Sequence, residues 1–152
     1  MNRREKAIKD TSEDWKDLGF FYDLDEKSKY WKIVGSRAGL MKFCRILKDY
    51  ASDPRNEKIS EHDHLGPYMY LTITTWKSRK LYEGGIVGTL PDIEFMSNLV
   101  NAKLADCTNG DSFEIGSEYD EKTEYKMIFQ LMADEFDPSS LDLMEWANNI
   151  KE

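Results

Sequence analysis

Glu61-His62-Asp63-His64 holds both histidines of the chain, two residues apart and directly ahead of its most regular strand-like run, Tyr68 to Trp76. An H-x-H pair on extended backbone turns both rings to one side, which is how some metal sites begin. Zinc takes four ligands in structural sites, and three from the protein in catalytic ones. There is no third histidine, and Cys44 and Cys107 fall in or at the ends of predicted helices. Glu61 could contribute, whereas Asp63 points to the opposite side if the segment is extended. A general base needs a nucleophile or an orienting partner within reach, and neither is visible beside the pair. A small metal-binding enzyme built on His62 and His64 is therefore one reading. The other is polar trim at the mouth of a strand, with Gly66-Pro67 fixing the entry.

The remaining residues with chemical potential are glycines, aromatics and acids. Glu83-Gly84-Gly85-Ile86-Val87-Gly88 is glycine-rich but lies between two strand-like pieces. A phosphate cradle instead runs into a helix N-terminus and carries a lysine. Phe20, Phe21, Tyr22, Tyr30, Trp31, Tyr68, Tyr70, Trp76 and Tyr82 are interleaved with Lys29, Lys32, Lys77, Arg79 and Lys80. Such a set can stack single-stranded nucleic acid. In strands, though, aromatics more often form cross-strand pairs and core. The net charge of −8 also opposes nucleic-acid affinity.

That charge is unevenly spread. Residues 1–105 hold 18 basic and 16 acidic side chains; residues 106–152 hold 3 and 13. The last third thus points to a field that repels nucleic acid and attracts a basic protein. Its candidate partner-binding residues are Glu114, Glu118, Asp120, Glu121, Glu124, Asp134 and Glu135, on two strands and their acidic connection. The plainer alternative is a charged face that protects an edge strand from aggregation.

The elements that must carry these residues follow from the hydrophobic period. The chain has 152 residues, 40% hydrophobic and 33% charged, enough for one domain with a real core. No apolar run reaches the roughly 20 residues of a membrane span, and the basic N-terminus has no apolar stretch behind it. Two cysteines without C-x-x-C spacing fit a reducing cytoplasm and no disulfide framework.

Residues 1–17 read as a polar N-terminal arm, loose or briefly helical, with Trp15 as anchor. Residues 18–152 read as a single α+β domain. Leu18–Leu24 and Lys29–Gly35 are rich in aromatic and β-branched residues and make a hairpin. Leu40, Phe43, Cys44, Leu47 and Ala51 fall at helical spacing after Ser36 as N-cap, and Ser52-Asp53-Pro54 ends that helix. Tyr68–Trp76 alternates, with Met69, Leu71, Ile73 and Thr75 on one face and Tyr68, Tyr70, Thr72, Thr74 and Trp76 on the other, and Leu81–Thr89 is expected to pair back on it. Thr89, Pro91 and Asp92 open a second helix with a capping box. Two further strands, 112–119 and 125–136, and a short C-terminal helix complete a ββαββαββα order. This predicts a largely antiparallel sheet of about six strands, with the two main helices on one face.

Tyr30–Leu40 with its Tyr-Trp-Lys-Ile-Val-Gly-Ser-Arg, Glu61–Trp76, and Gly-Ile-Val-Gly-Thr-Leu-Pro-Asp-Ile at 85–93 resemble small immunity proteins of bacterial polymorphic toxin systems. The resemblance covers roughly residues 18–104. It implies a cytoplasmic, non-enzymatic protein without cofactor that binds and blocks a cognate toxin, a nuclease being one such toxin. It carries no binding residues over, and the acidic last third lies outside it. A scaffold module with another protein partner is the alternative, ahead of the metal enzyme on His62 and His64.

Overall fold

The computed structural model describes residues 1–151. The N-terminal segment is a full helix, α1 (Arg3–Leu18). Asn2 caps it by accepting the Glu5 N–H, and Lys6–Asp10 (2.8 Å) and Lys9–Glu13 (3.9 Å) pair one turn apart. Gly19, at φ 92°, ends it and returns its N–H to the Trp15 carbonyl. The helix is polar on most sides because it buries one large residue, Trp15, at 1% exposure.

Strands β1 (Phe20–Asp25) and β2 (Tyr30–Ser36) form the expected hairpin, with Phe20 opposite Gly35 and Asp25 opposite Tyr30. Helix α2 (Arg37–Ser52) starts where Ser36 accepts the Gly39 N–H, and buries Leu40, Phe43, Cys44, Leu47 and Tyr50. Its first turn passes very close to the end of α1. A Cβ placed on Gly39 would stand 2.1 Å from the Gly19 carbonyl oxygen, a backbone atom with little room to yield. Gly39→Ala is therefore expected to destabilise the protein by about 2–3 kcal/mol, since overpacking must push two elements apart. Urea unfolding checks this: a midpoint equal to that of the parent would show that α1 can retreat freely.

The middle of the chain departs from expectation. β3 (His62–Leu65) and β4 (Leu71–Thr75) form one antiparallel hairpin, and β5 (Lys80–Tyr82) and β6 (Gly85–Gly88) another. The histidines thus lie within a strand, while Tyr68–Tyr70 belong to the linker between β3 and β4. Residues 81–89 do not pair back on β4 as an antiparallel arm: β6 lies between β4 and β5 and runs parallel to β4. The reason lies in side-chain polarity. All four residues of β6 are buried, and a strand apolar on both faces belongs in the interior of a sheet. β3 and β5 begin with exposed polar residues and take the edges. Gly85, at φ 131°, makes the close approach possible, because a Cβ there would meet the Thr72 carbonyl oxygen at 2.3 Å.

Helix α3 (Leu90–Ala105) has the full Thr89/Asp92 capping box and buries Ile93, Met96, Val100 and Leu104. Ser97 donates to the Cys44 carbonyl at 2.7 Å, tying α3 to α2 in the core. The antiparallel pair β7 (Ser112–Ile115) and β8 (Lys126–Met132) follows, and β8 runs parallel to β2.

The predicted single sheet of about six strands is corrected, among the described residues, to eight strands in two four-stranded mixed sheets, β1-β2-β8-β7 and β3-β4-β6-β5. Each has a parallel central pair with an antiparallel partner outside it. The two main helices pack on each other and differ in the strands they touch. α2 contacts β1, β2 and β8, while α3 contacts β6 of the second sheet and β7 of the first. The α+β class holds. The expected C-terminal helix is replaced by two short 3-10 turns, Pro138–Leu141 and Glu145–Asn149. Between them Asp142 is extended, its Oδ1 accepts the Met144 N–H, and Met144 is left-handed at φ 54°. A side chain that captures a backbone donor in this way competes with helix formation.

Candidate partner-binding surface

His62 and His64 lie on the exposed edge strand β3, with ring centroids 4.9 Å apart. His64 stacks on Tyr70 at 5.0 Å, and Nδ1 of His62 is 3.0 Å from the Ser60 carbonyl. Among the described residues no three His, Cys, Asp or Glu side chains gather as a metal site. Gly84 and Gly85 serve the β5–β6 turn and the approach to β4. Burial pushes the Cys44 thiol up to about 11, which keeps it protonated at neutral pH.

The seven predicted acids have differing surroundings. Glu118 meets Lys103 at 2.6 Å, Glu124 meets Lys29 at 2.7 Å, and Glu114 is 3.5 Å from Lys126. The hydrogen bonds from Lys103 and Lys29 hold Glu118 and Glu124 below the usual glutamate range. Asp120 accepts the Leu81 N–H at 3.1 Å and ties the β7–β8 connection to β5. Glu121 is exposed and, among the described residues, unpaired. Asp134 and Glu135 follow β8, and Glu135 borders a cleft that also holds Lys16, Lys42 and Arg45. Their negative field is partly matched by lysines already in place.

A different surface combines free carboxylates with exposed rings. It starts from the alternation of β1: Phe20 and Tyr22 are buried, whereas Phe21 is half-buried and Asp23 exposed. Trp15 of α1 lies against Phe21 and Tyr22, at 4.9 Å from each ring. The β3–β4 linker comes in above them. Gly66, at φ 95°, lets it cross the Tyr22 ring, where any Cβ would collide, and the Tyr22 hydroxyl donates to the Tyr68 carbonyl. From the far end of the chain, Asp142 Oδ2 accepts both the Tyr68 hydroxyl (2.8 Å) and the Trp15 indole N–H (2.9 Å). Trp146 completes the row, 6.0 Å from Tyr68. Its indole N–H is buried and, among the described residues, makes no hydrogen bond.

Burial, reinforced at Tyr68 by the Asp142 bond, raises the pKa of both tyrosines well above the ordinary phenol value. Both therefore stay protonated, as their donor roles require.

Two adjoining clefts open along this row, and Phe21, Asp23 and Tyr68 line both. The larger, about 520 Å³, continues past Asp25, Glu26, Lys27 and Met69. The smaller, about 300 Å³, is walled by Leu141–Trp146. Among the described residues, Asp23, Glu26, Asp142 and Glu145 make no ion pair. Met69 (74% exposed) and Leu143 (79%) stand at its rim. An open trough of rings, aliphatic rim and unmatched carboxylates is suited to a basic protein surface.

Sequence reasoning singled out Phe21, Tyr22 and Tyr68 as ring-bearing positions, but not Trp15 or Trp146 as their companions. Nor did it single out Asp23, Asp142 and Glu145 as their acids. The alternation of β1 signals Phe21 and Asp23; their union with Tyr68 and Asp142 depends on segments 46 and 74 positions apart. Comparison with known protein families, with curated proteins and with solved structures finds no match to this chain.

Proposed function

We propose that this chain is a non-enzymatic immunity protein that binds a cognate bacterial toxin with a basic surface and blocks it. The observation that carries the reading is the trough between β1, the β3–β4 linker and residues 141–146, where unpaired carboxylates alternate with half-buried rings. Interfaces draw affinity from such aromatic anchors, and charges around them set orientation and approach rate. A nuclease fits as the target class, because an enzyme that grips phosphates exposes cations that the carboxylates of this surface can meet. Steering of opposite charges brings association to about 10⁸ M⁻¹s⁻¹ at low salt, the regime an inhibitor needs to protect its own cell. Among the described residues no helix is long and apolar enough to cross a membrane; the proposed place of action is the bacterial cytoplasm.

The test is affinity capture from a lysate of the source cell at low and high salt, followed by assay of the captured protein. The expected result is one stoichiometric, basic partner, released by salt and inactive while bound. A partner whose activity is unchanged in the complex would instead make the chain a scaffold module.

A further inference from the structure

Resting on that reading, we infer that the trough seats an arginine side chain of the toxin, stacked among Phe21, Tyr68 and Trp146 and charge-matched by Asp23, Glu145 and Asp142. The trough's charge comes first. Asp142 is half-buried and receives three hydrogen bonds, from Trp15, Tyr68 and the Met144 backbone, all from neutral donors. Those bonds fix its position and bring no countercharge, and Asp23 and Glu145 are exposed beside the same cleft. Lys27, which lines the larger cleft but not the smaller, forms no ion pair with any of them. An anionic ligand is disfavoured by this arrangement, and an apolar one would strip water from carboxylates without replacing it.

Shape then selects among cations. Phe21, Tyr68 and Trp146 all line the smaller cleft, the latter two at 66° to each other. A planar guanidinium stacks on ring faces while its N–H fork meets carboxylates; a lysine ammonium is a compact, strongly hydrated charge that uses such walls less well. The protruding Leu143 and Met69 give a surrounding protein surface something apolar to cover. That favours an arginine carried by a protein.

The probe is argininamide, titrated into the ¹⁵N-labelled full chain, with citrullinamide as its neutral counterpart of equal size. The four tryptophan indole signals report by position. Trp15 and Trp146 belong to the trough; Trp31 donates to the Tyr82 carbonyl, and Trp76 follows β4 in the other sheet. Argininamide is expected to shift the Trp15 and Trp146 signals saturably, with citrullinamide binding about tenfold more weakly or worse. Asp23→Asn and Glu145→Gln should each weaken argininamide severalfold. Shifts spread without saturation over all four indoles, equal binding of citrullinamide, or unimpaired binding by both variants would overturn the inference. The two readings fail separately. A captured and inhibited partner together with no argininamide site removes the arginine and leaves the inhibitor; argininamide bound in the trough with no inhibited partner does the reverse.

Discussion

Trp15→Ala is expected to lower the unfolding free energy by about 4 kcal/mol, near the middle of the range for truncating a buried tryptophan. The residue is 1% exposed and packs on Phe21, Tyr22 and Tyr68 at 4.9, 4.9 and 6.2 Å. Its removal leaves a cavity that three differently placed elements line, so no single local shift closes it. The Asp142 carboxylate also loses one of its three donors. Because domains of this kind have roughly 5–15 kcal/mol in total, the variant loses between about a quarter and most of its margin. Trp15→Phe separates the two contributions. It retains a ring but no N–H, and should cost less than the alanine, with about 1–3 kcal/mol assigned to the lost bond to a carboxylate. Urea unfolding of both variants measures the difference. A Trp15→Ala midpoint close to that of the parent would mean that α1 is a dispensable arm. At temperatures where the variant remains folded, partner binding should still fall, since Trp15 and Asp142 together hold Tyr68 at the trough.

Local signals were sufficient for much of this architecture. Ser36, Thr89 and Asp92 act as caps where a helix N-terminus leaves donors unmatched, and both α2 and α3 begin where those residues place them. The alternation likewise gives the buried face of β4 at Leu71, Ile73 and Thr75, whereas Met69, expected on that face, lies in the β3–β4 linker at 74% exposure. Strand pairing was less legible because it depends on which strands can be central. Ile86 and Val87 are consecutive and both buried, a signal for an interior parallel strand. The Gly84-Gly85 pair beside them reads equally well as a bulge in a longer antiparallel arm. α1 was hard to distinguish from an arm because one buried tryptophan gives no period. The candidate site has the same difficulty on a larger scale. Its acids sit singly at 23, 142 and 145, whereas the conspicuous run at 114–124 is where Lys29, Lys103 and Lys126 converge. Charge density along a sequence counts acids, and the fold decides which of them are already answered.

Charge reversal compares those two acidic surfaces directly. The pair Asp23→Lys and Glu145→Lys is expected to weaken capture of the basic partner at least about 100-fold, or roughly 3 kcal/mol, because each change places a cation where the partner's own must dock. Both side chains are exposed and, among the described residues, make no ion pair, so the fold should survive with an unfolding midpoint close to the parent's. Reversal of Glu118, Glu121 and Glu124 to lysine changes more formal charge. It should nevertheless reduce affinity by about tenfold or less, chiefly through the association rate, since distant rim charges act by steering and are screened by salt. Glu118 and Glu124 also leave Lys103 and Lys29 unmatched when reversed, so that set needs its own unfolding control. Rates measured at two salt concentrations separate the effects: trough variants should dissociate faster at both, and the β7–β8 variants should differ mainly at low salt. The opposite ranking would move the interface to the β7–β8 connection and leave the trough as packing for α1.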